Sequence, residues 1–297
     1  METYRIDIHL HGGVLTPFQA DTVFGHLCWT VAQNEGDGAL EEFLRPFLDG
    51  NPPFVISDGF PAGFLPKPLG ANFLEDDPER LKEIKKIVHV GPEDFGRIAA
   101  GGKTDLQARD VPGTVEISIH NRIDRQTGKT PSEGGLYGLV ETHTPYVTVY
   151  IKTVSEAWKD RVADLFRKLS LSGYGRRKSA GKGHFTAGNP ERFNFPEVKD
   201  ANGFVTLSGF CPAENDPVEG LYQISVKYGK LGEEFTVPGN PFKKPLLVIA
   251  TGSVFRTAGA PAEFYGRMIT GIAPAKPEAV QYTYAFAVPV KMPRVTV

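Results

Sequence analysis

The feature that most constrains this 297-residue chain is a change of hydrophobic period near its start. In "YRIDIHLHGG" the apolar residues Ile6, Ile8 and Leu10 alternate with Arg5, Asp7 and His9. A period of two sends successive side chains to opposite faces, so this segment predicts a half-buried strand ending at Gly12 and Gly13. Beyond it Phe24, Leu27, Cys28 and Val31 stand at i, i+3, i+4 and i+7. That spacing is one apolar stripe of a helix, with Asp21 as its candidate N-cap. The pair predicts the first strand and helix of an α+β unit.

Further along, "DDPERLKEIKKIVHVG" carries acids early and lysines late, as the helix dipole favours, and predicts a helix. Residues 51–115, which include the proline- and glycine-rich "PFVISDGFPAGFLPKPLG" around one short strand, read as an insertion between core elements. Val115 to Ile119 and Tyr146 to Ile151 are β runs separated by a turn-rich basic segment. Ser155 then caps a helix whose apolar face is Trp158, Val162, Leu165, Phe166 and Leu169, with Gly173 as its stop and "HFTAG" as a strand behind it. Strand, helix, strand, strand, helix, strand is the split βαβ, or ferredoxin-like, order. From about residue 200, "GFVTLSGF", "GLYQISVKYG", "KPLLVIATGSVF" and "VQYTYAFAVPVKM" supply a second set of strands. The polar, proline-interrupted stretch 189–203 marks the seam, giving a domain 1–195 and a domain 196–297.

Composition narrows the function. With 40% hydrophobic and 23% charged residues the chain is globular, and 33 glycines and 24 prolines spread along its length favour short strands and decorated loops. A formal net charge of −2 gives no global attraction to nucleic acid or membrane, so any polyanion site must be a local cluster. Cys28 and Cys211 form neither a disulfide framework nor a thiolate metal motif, and Cys28 falls on the apolar helix face as an inert thiol. The first residues show no basic region followed by an apolar core and cleavage site, and no run of eighteen apolar residues occurs; a cytoplasmic location without membrane contact is expected.

The local cluster is "SGYGRRKSAGKGHF", Ser172 to Phe185, with Arg176, Arg177, Lys178 and Lys182 and no acid among them. It is not a nucleotide phosphate loop. Five residues separate Gly175 from Gly181 where four are required, Gly183 stands where a Mg²⁺-binding hydroxyl belongs, and the loop follows a helix instead of preceding one. The dinucleotide fingerprint fails on the same topology. A charge run is also what a merely solvated loop looks like. Glycines at 173, 175, 181 and 183, however, permit backbone conformations and close approach that such a loop does not need. With them, backbone N–H groups can cradle phosphates that the four cations neutralise, as a single RNA or DNA strand requires.

"TPFQADTVFGHLCW", "NRIDRQTGKT" with "GGLYGLVE", and "SGYGRRKSAGKGHF" together resemble the RAMP superfamily of CRISPR effector proteins. Within it they resemble the group of fourth Csm-type subunits of type III-A interference complexes. "SVKYGKLGEE", "NPFKKPLLVIATGSVF" and "VQYTYAFAVPV" extend the resemblance over nearly the whole chain. It implies two ferredoxin-like, RRM-type domains with an inserted thumb in the first. It further implies a role in binding the 5′ tag of the guide RNA and joining the large polymerase-like subunit to the repeated backbone subunit in antiviral defence. Gly173, Gly175, Arg176, Arg177, Lys178, Ser179, Gly181, Lys182, Gly183 and His184 would hold the tag. Phe18, Gln19, Asp21 and Thr22 would lie beside them, Phe18 stacking a base and Gln19 reading an edge. Asn121, Arg122 and Arg125 would belong to the thumb, and Ser253 and Arg256 to a weaker analogue in the second domain. Blander roles stand beside these: Phe18 as a staple before the helix, Asp21 as its cap, and Asp124 paired with Arg122 or Arg125.

No catalytic constellation is legible. Among seven histidines, His9 and His11 share a strand face, His26 lies on the first helix and His184 closes the loop, none with a base and orienting partner at a telling spacing. Asp21 and Asp124 are not paired into a metal-binding carboxylate cluster. A non-catalytic protein without metal or cofactor is expected; the alternative is a metal-independent endoribonuclease maturing the guide RNA through His26 or His184.

Overall fold

The computed structural model describes residues 1–73, 77–232 and 240–292. Strand β1 (Glu2–Leu10), helices α1 (Ala20–Glu35) and α2 (Asp37–Leu48) and strand β2 (Phe54–Pro61) come first. A segment with β3 (Leu65–Pro66), α3 (Pro78–Lys86), β4 (His89–Val90) and α4 (Pro92–Ala99) follows. Next are β5 (Thr114–Asn121), β6 (Leu136–His143), β7 (Tyr146–Thr153), α5 (Glu156–Ser172), β8 (Phe185–Ala187) and β9 (Glu191–Arg192). The remainder comprises β10 (Gly203–Thr206), β11 (Gly220–Leu221), β12 (Ile224–Lys227), β13 (Leu246–Ile249), β14 (Val254–Arg256), β15 (Phe264–Gly266) and β16 (Tyr284–Val290).

The protein is α+β. Its first sheet has the order β2-β7-β1-β8, antiparallel throughout, with β9 also on β1. Tyr4, Ile6, Ile8 and Leu10 are buried on one face of β1, as the alternation requires. Ser155 Oγ accepts the Trp158 N–H at the start of α5, and Gly173 at φ 78° ends it. This strand order is the one a β-α-β-β-α-β chain produces. Residues 51–115 need correcting as an insertion: β2 is an edge strand of this sheet. Its consecutive apolar run Phe54, Val55 and Ile56 is buried on both faces, so it lacks the alternation that marks a half-exposed strand. The partner of β5 is β6, paired in register from Thr114↔His143 to Asn121↔Leu136, and the two form a separate two-stranded ribbon whose foot is bridged to Val14 through Thr142.

The second sheet runs β11-β14-β10-β16-β15, again antiparallel. In chain order its first four strands stand second, third, first, fourth, which is also the order of β1, β2, β7 and β8. Yet no α-helix follows Ser172 among the described residues. The crossovers that would hold helices contain Gly209, Pro212 and Pro217, and then Gly259, Pro261, Gly266, Gly271, Pro274 and Pro277, which break helices. In this half too the connection between second and third strands carries a two-stranded ribbon, β12–β13.

One continuous core joins the halves. Phe24 of α1 and Phe47 of α2 pack on Tyr282, with ring centroids 4.5 Å apart for the Phe24–Tyr282 pair, and Phe54 of β2 packs on both phenylalanines. Tyr284 Oη donates to the Phe47 carbonyl at 2.6 Å, and the Ile56 N–H donates to Tyr282 Oη at 3.1 Å. Buried Lys152 donates to the Ala287 carbonyl and to Glu263 Oε2 at 2.8 and 2.7 Å. Phe193 and Phe195, in the stretch taken as the seam, pack against this same core.

Candidate nucleic-acid interface

The loop after α5 is held by its own backbone. Gly173, Gly175, Gly181 and Gly183 all have positive φ, between 67° and 82°, and Arg177 joins them at 62°. A short turn at Lys178–Ala180 is closed by the Ala180 N–H on the Arg177 carbonyl, and Lys182 N–H returns to the same oxygen. Tyr174 N–H donates to Gly183 O, Gly183 N–H to Gly13 O, and His11 N–H to His184 O, which ties the loop to the end of β1. A Cβ on Gly183 would lie 2.0 Å from the Tyr174 carbonyl oxygen, so only glycine fits there.

The turn before α1 lies against this loop. Thr16 Oγ1 accepts the Arg176 N–H at 3.1 Å, and His26 Nε2 accepts the Gly175 N–H at 3.2 Å. Phe18 cannot stack a base: it is only 5% exposed, its ring parallel to Tyr174 at 4.1 Å. Asp21 is not the cap of α1. Asp58 Oδ1 accepts the Ala20 N–H at 2.7 Å, while the Asp21 carboxylate receives Lys227 and Gln281 and its neighbour Thr22 N–H. Gln19 is exposed and accepts from Lys227 Nζ at 3.1 Å.

The four cations divide. Arg176 and Arg177 are exposed with Ser179 and His184, and Lys178 is half-buried. Arg177 also sits over the Tyr137 ring at 5.5 Å. Lys182 turns inward, its Nζ 2.7 Å from Glu141 Oε2 at the foot of the β5–β6 ribbon. The Glu141 side chain, 2% exposed, also accepts from Ser118 Oγ and has His143 Nε2 at 3.5 Å and His120 Nε2 at 3.8 Å. The bonds from Lys182 and Ser118 hold its carboxyl below the usual range. Sequence reasoning missed Glu141, His120, His143, Tyr137 and Thr16, because only the ribbon's register and the return of the loop bring them together. The unread signal was "LYGLVETH", a second alternating run able to pair with β5.

At the ribbon's far end Asn121, Arg122 and Arg125 are exposed. Asp124 pairs with neither arginine; it accepts the Gln126 and Thr127 N–H groups at 2.8 and 2.9 Å, which lowers its pKa. Ser253 offers nothing to a ligand, being fully buried with its hydroxyl on the Ala250 carbonyl, and Arg256 Nε is bonded to Glu219 at 3.1 Å. His26 Nε2 accepts the Gly175 N–H and its ring lies 4.9 Å from that of Tyr174. Among the described residues no group of three or more His, Cys, Asp or Glu side chains is arranged to hold a metal ion, and no helix is long and apolar enough to cross a membrane. Burial pushes the free thiols of Cys28 and Cys211 upward.

No family model and no curated protein matches this sequence. Solved structures do. A chain in the crystal structure of a Csm1–Csm4 cassette in complex with pppApA superposes with a TM-score of 0.69 at 19% identity, over 98% of this chain and 99% of that one. The same cassette in complex with AMPPNP gives 0.67 at 19%, over the same shares. A chain of the Csm3–Csm4 subcomplex in the type III-A CRISPR-Cas interference complex gives 0.63 at 13%, over 97% and 99%. At these identities the likeness is one of fold, and the resemblance drawn from the sequence motifs is borne out at that level.

Proposed function

We propose that this chain is a non-catalytic, RNA-binding subunit of a type III-A CRISPR ribonucleoprotein in the cytoplasm. On this reading it holds the 5′ tag of the guide RNA and bridges the large polymerase-like subunit to the repeated backbone subunit. The single observation that carries it is a hydrogen-bonded glycine-rich loop presenting Arg176 and Arg177 outward, beside the foot of the β5–β6 ribbon. The whole-chain likeness to chains of Csm1–Csm4 and Csm3–Csm4 assemblies supports the choice of partners. The strand order shared by the two halves supports reading 1–195 and 196–297 as two ferredoxin-like domains with β5–β6 as the thumb.

In this reading the backbone from Gly175 to Gly183 approaches the strand closely while Arg176, Arg177 and Lys178 neutralise its phosphates. Asn121, Arg122 and Arg125 meet the RNA at the ribbon's far end. Replacing Arg176, Arg177 and Lys178 by Ala should leave the thermal midpoint nearly unchanged and weaken RNA binding; undiminished affinity at moderate salt would sink the proposal. Purification from the native host should yield a short RNA of defined 5′ end and two partner chains.

A second reading, a metal-independent endoribonuclease, is favoured by one observation: His120 and His143 flank Glu141 beside Lys182. Two imidazoles and a cation are the parts that acid and base cleavage of RNA needs. Incubation of a repeat-containing RNA with the protein in EDTA decides, since specific cleavage abolished by His120→Ala or His143→Ala would reverse the order of the two readings.

A further inference from the structure

The β12–β13 ribbon presents one bare face. Ile224, Val226, Tyr228 and Lys230 alternate along one strand, and Leu247 and Phe242 stand opposite Val226 and Lys230 on the other. Tyr228 is 76% exposed, Phe242 58% and Leu247 65%. Lys230 Nζ lies 5.9 Å from the centre of the Phe242 ring, and Lys244, next but one along the chain, is exposed with its Nζ on the Gly271 carbonyl. The ladder continues beyond β12, with Leu231 N–H on Pro241 O and Lys243 N–H on Gly229 O, so these side chains ride on paired backbone.

This ribbon touches the segment that packs on the glycine-rich loop. Lys227, on the opposite face, reaches Asp21 at the start of α1 and Gln19 in the turn before it, whose Thr16 accepts the Arg176 N–H. The other ribbon is tied to the same loop through Glu141 and Lys182. Both ribbons are thus linked to the loop, one directly through Glu141 and Lys182 and the other through the turn before α1. Two β-strands stand about 5 Å apart, so the bare face is only about one nucleic-acid strand wide. That is narrow for a protein partner, which needs about 800 Å² on each side and an interface core depleted of charge. Exposed rings interleaved with lysines are instead the makeup of a single-strand platform, where rings stack bases and cations take phosphates.

We infer that the β12–β13 ribbon is a second single-stranded RNA contact, in which Tyr228 and Phe242 stack bases and Lys230 and Lys244 take phosphates of the strand leaving the glycine-rich loop. This rests on the proposed RNA-binding reading and extends it to a part of the chain outside the loop and thumb.

The test uses the full-length protein and two labelled single-stranded RNAs sharing a 5′ end, one of about eight and one of about thirty nucleotides. Tyr228→Ala with Phe242→Ala, and separately Lys230→Ala with Lys244→Ala, should weaken the long RNA by about tenfold or more and leave the short one unaffected. Arg176→Ala with Arg177→Ala should weaken both. If only the arginine variant loses affinity, the ribbon inference is overturned and the loop reading stands; if no variant loses affinity, both fall. Ribbon variants that keep full RNA affinity but lose a co-purifying protein chain would show the face to be a protein surface, which also overturns the inference. All four side chains are exposed, and an unchanged thermal midpoint for each variant separates lost contact from lost fold.

Discussion

Lys182 and Glu141 form a 2.7 Å ion pair that clamps the glycine-rich loop to the foot of the β5–β6 ribbon. The pair takes one of the four loop cations away from solvent and gives it a structural partner. The Glu141 side chain is almost fully covered.

The sign of the resulting pH dependence follows from the direction of the shift. Glu141 has its pKa lowered in the folded protein by Lys182 first and Ser118 second. Its contribution is therefore fully present above the unfolded carboxyl value near 4.3 and is lost as pH falls through the lower folded one. Glu141→Gln should lower the thermal midpoint at pH 7 and flatten the acid side of the stability profile. An acid limb identical to that of the parent protein would show that the pair is not what holds the ribbon's foot.

Two glycines of the loop should respond differently to the same change. At Gly181, φ is 82° but an added Cβ meets nothing within 4 Å, so Gly181→Ala costs only the left-handed strain, about 1 kcal/mol. At Gly183 the strain is joined by a Cβ 2.0 Å from the Tyr174 carbonyl oxygen, whose peptide is pinned by its Gly175 N–H on His26 Nε2. Gly183→Ala should cost several times more in urea unfolding and should reduce RNA binding with it.

How far the sequence carried the reading depends on how local each cause is. The alternation of Ile6 and Ile8, the Ser155 cap and the Gly173 stop are decided within a few residues, and each stands as expected. The burial of Phe18 is not legible locally because the ring it stacks on, Tyr174, is 156 residues away, and it leaves the staple as the better of the two readings. Asp21 has the right chemistry for a cap, but Asp58 reaches the Ala20 N–H from an irregularity in β2, which no pattern around residue 20 can reveal. Glu141 met Lys182 only once the register of β5 and β6 was fixed. That no α-helix follows Ser172 among the described residues agrees with the glycines and prolines spread through the second half.

Salt dependence separates phosphate contacts from other causes of lost affinity. Each single-strand phosphate neutralised contributes about 0.7 to the log–log slope. If Arg176 and Arg177 each meet a phosphate, replacing both by Ala should make the slope shallower by about 1.4. Lys182→Ala should change the slope much less, because its charge is spent on Glu141. Equal slope changes for the three cations would mean that Lys182 leaves Glu141 when RNA binds.

Asp58 gives a pH signature opposite to that of Glu141. It accepts the Ala20 N–H at one oxygen and the Thr251 hydroxyl at the other, joining α1 to the second half of the chain. Burial pushes its pKa from an ordinary 3.8 to about 6, with the Thr251 and Ala20 bonds pulling partly the other way. Between those values the folded state holds a proton that the unfolded state has released, so stability falls as pH rises through about 4 to 6. A displacement of that size corresponds to about 3 kcal/mol between the two ends of the window. Asn at this position can still accept the Ala20 N–H and can offer its amide to Thr251 Oγ1, so Asp58→Asn should keep the joint and abolish the decline. Urea midpoints at pH 4.5 and pH 7 for both proteins check this, and a parent protein that gains stability across the window would refute the assignment.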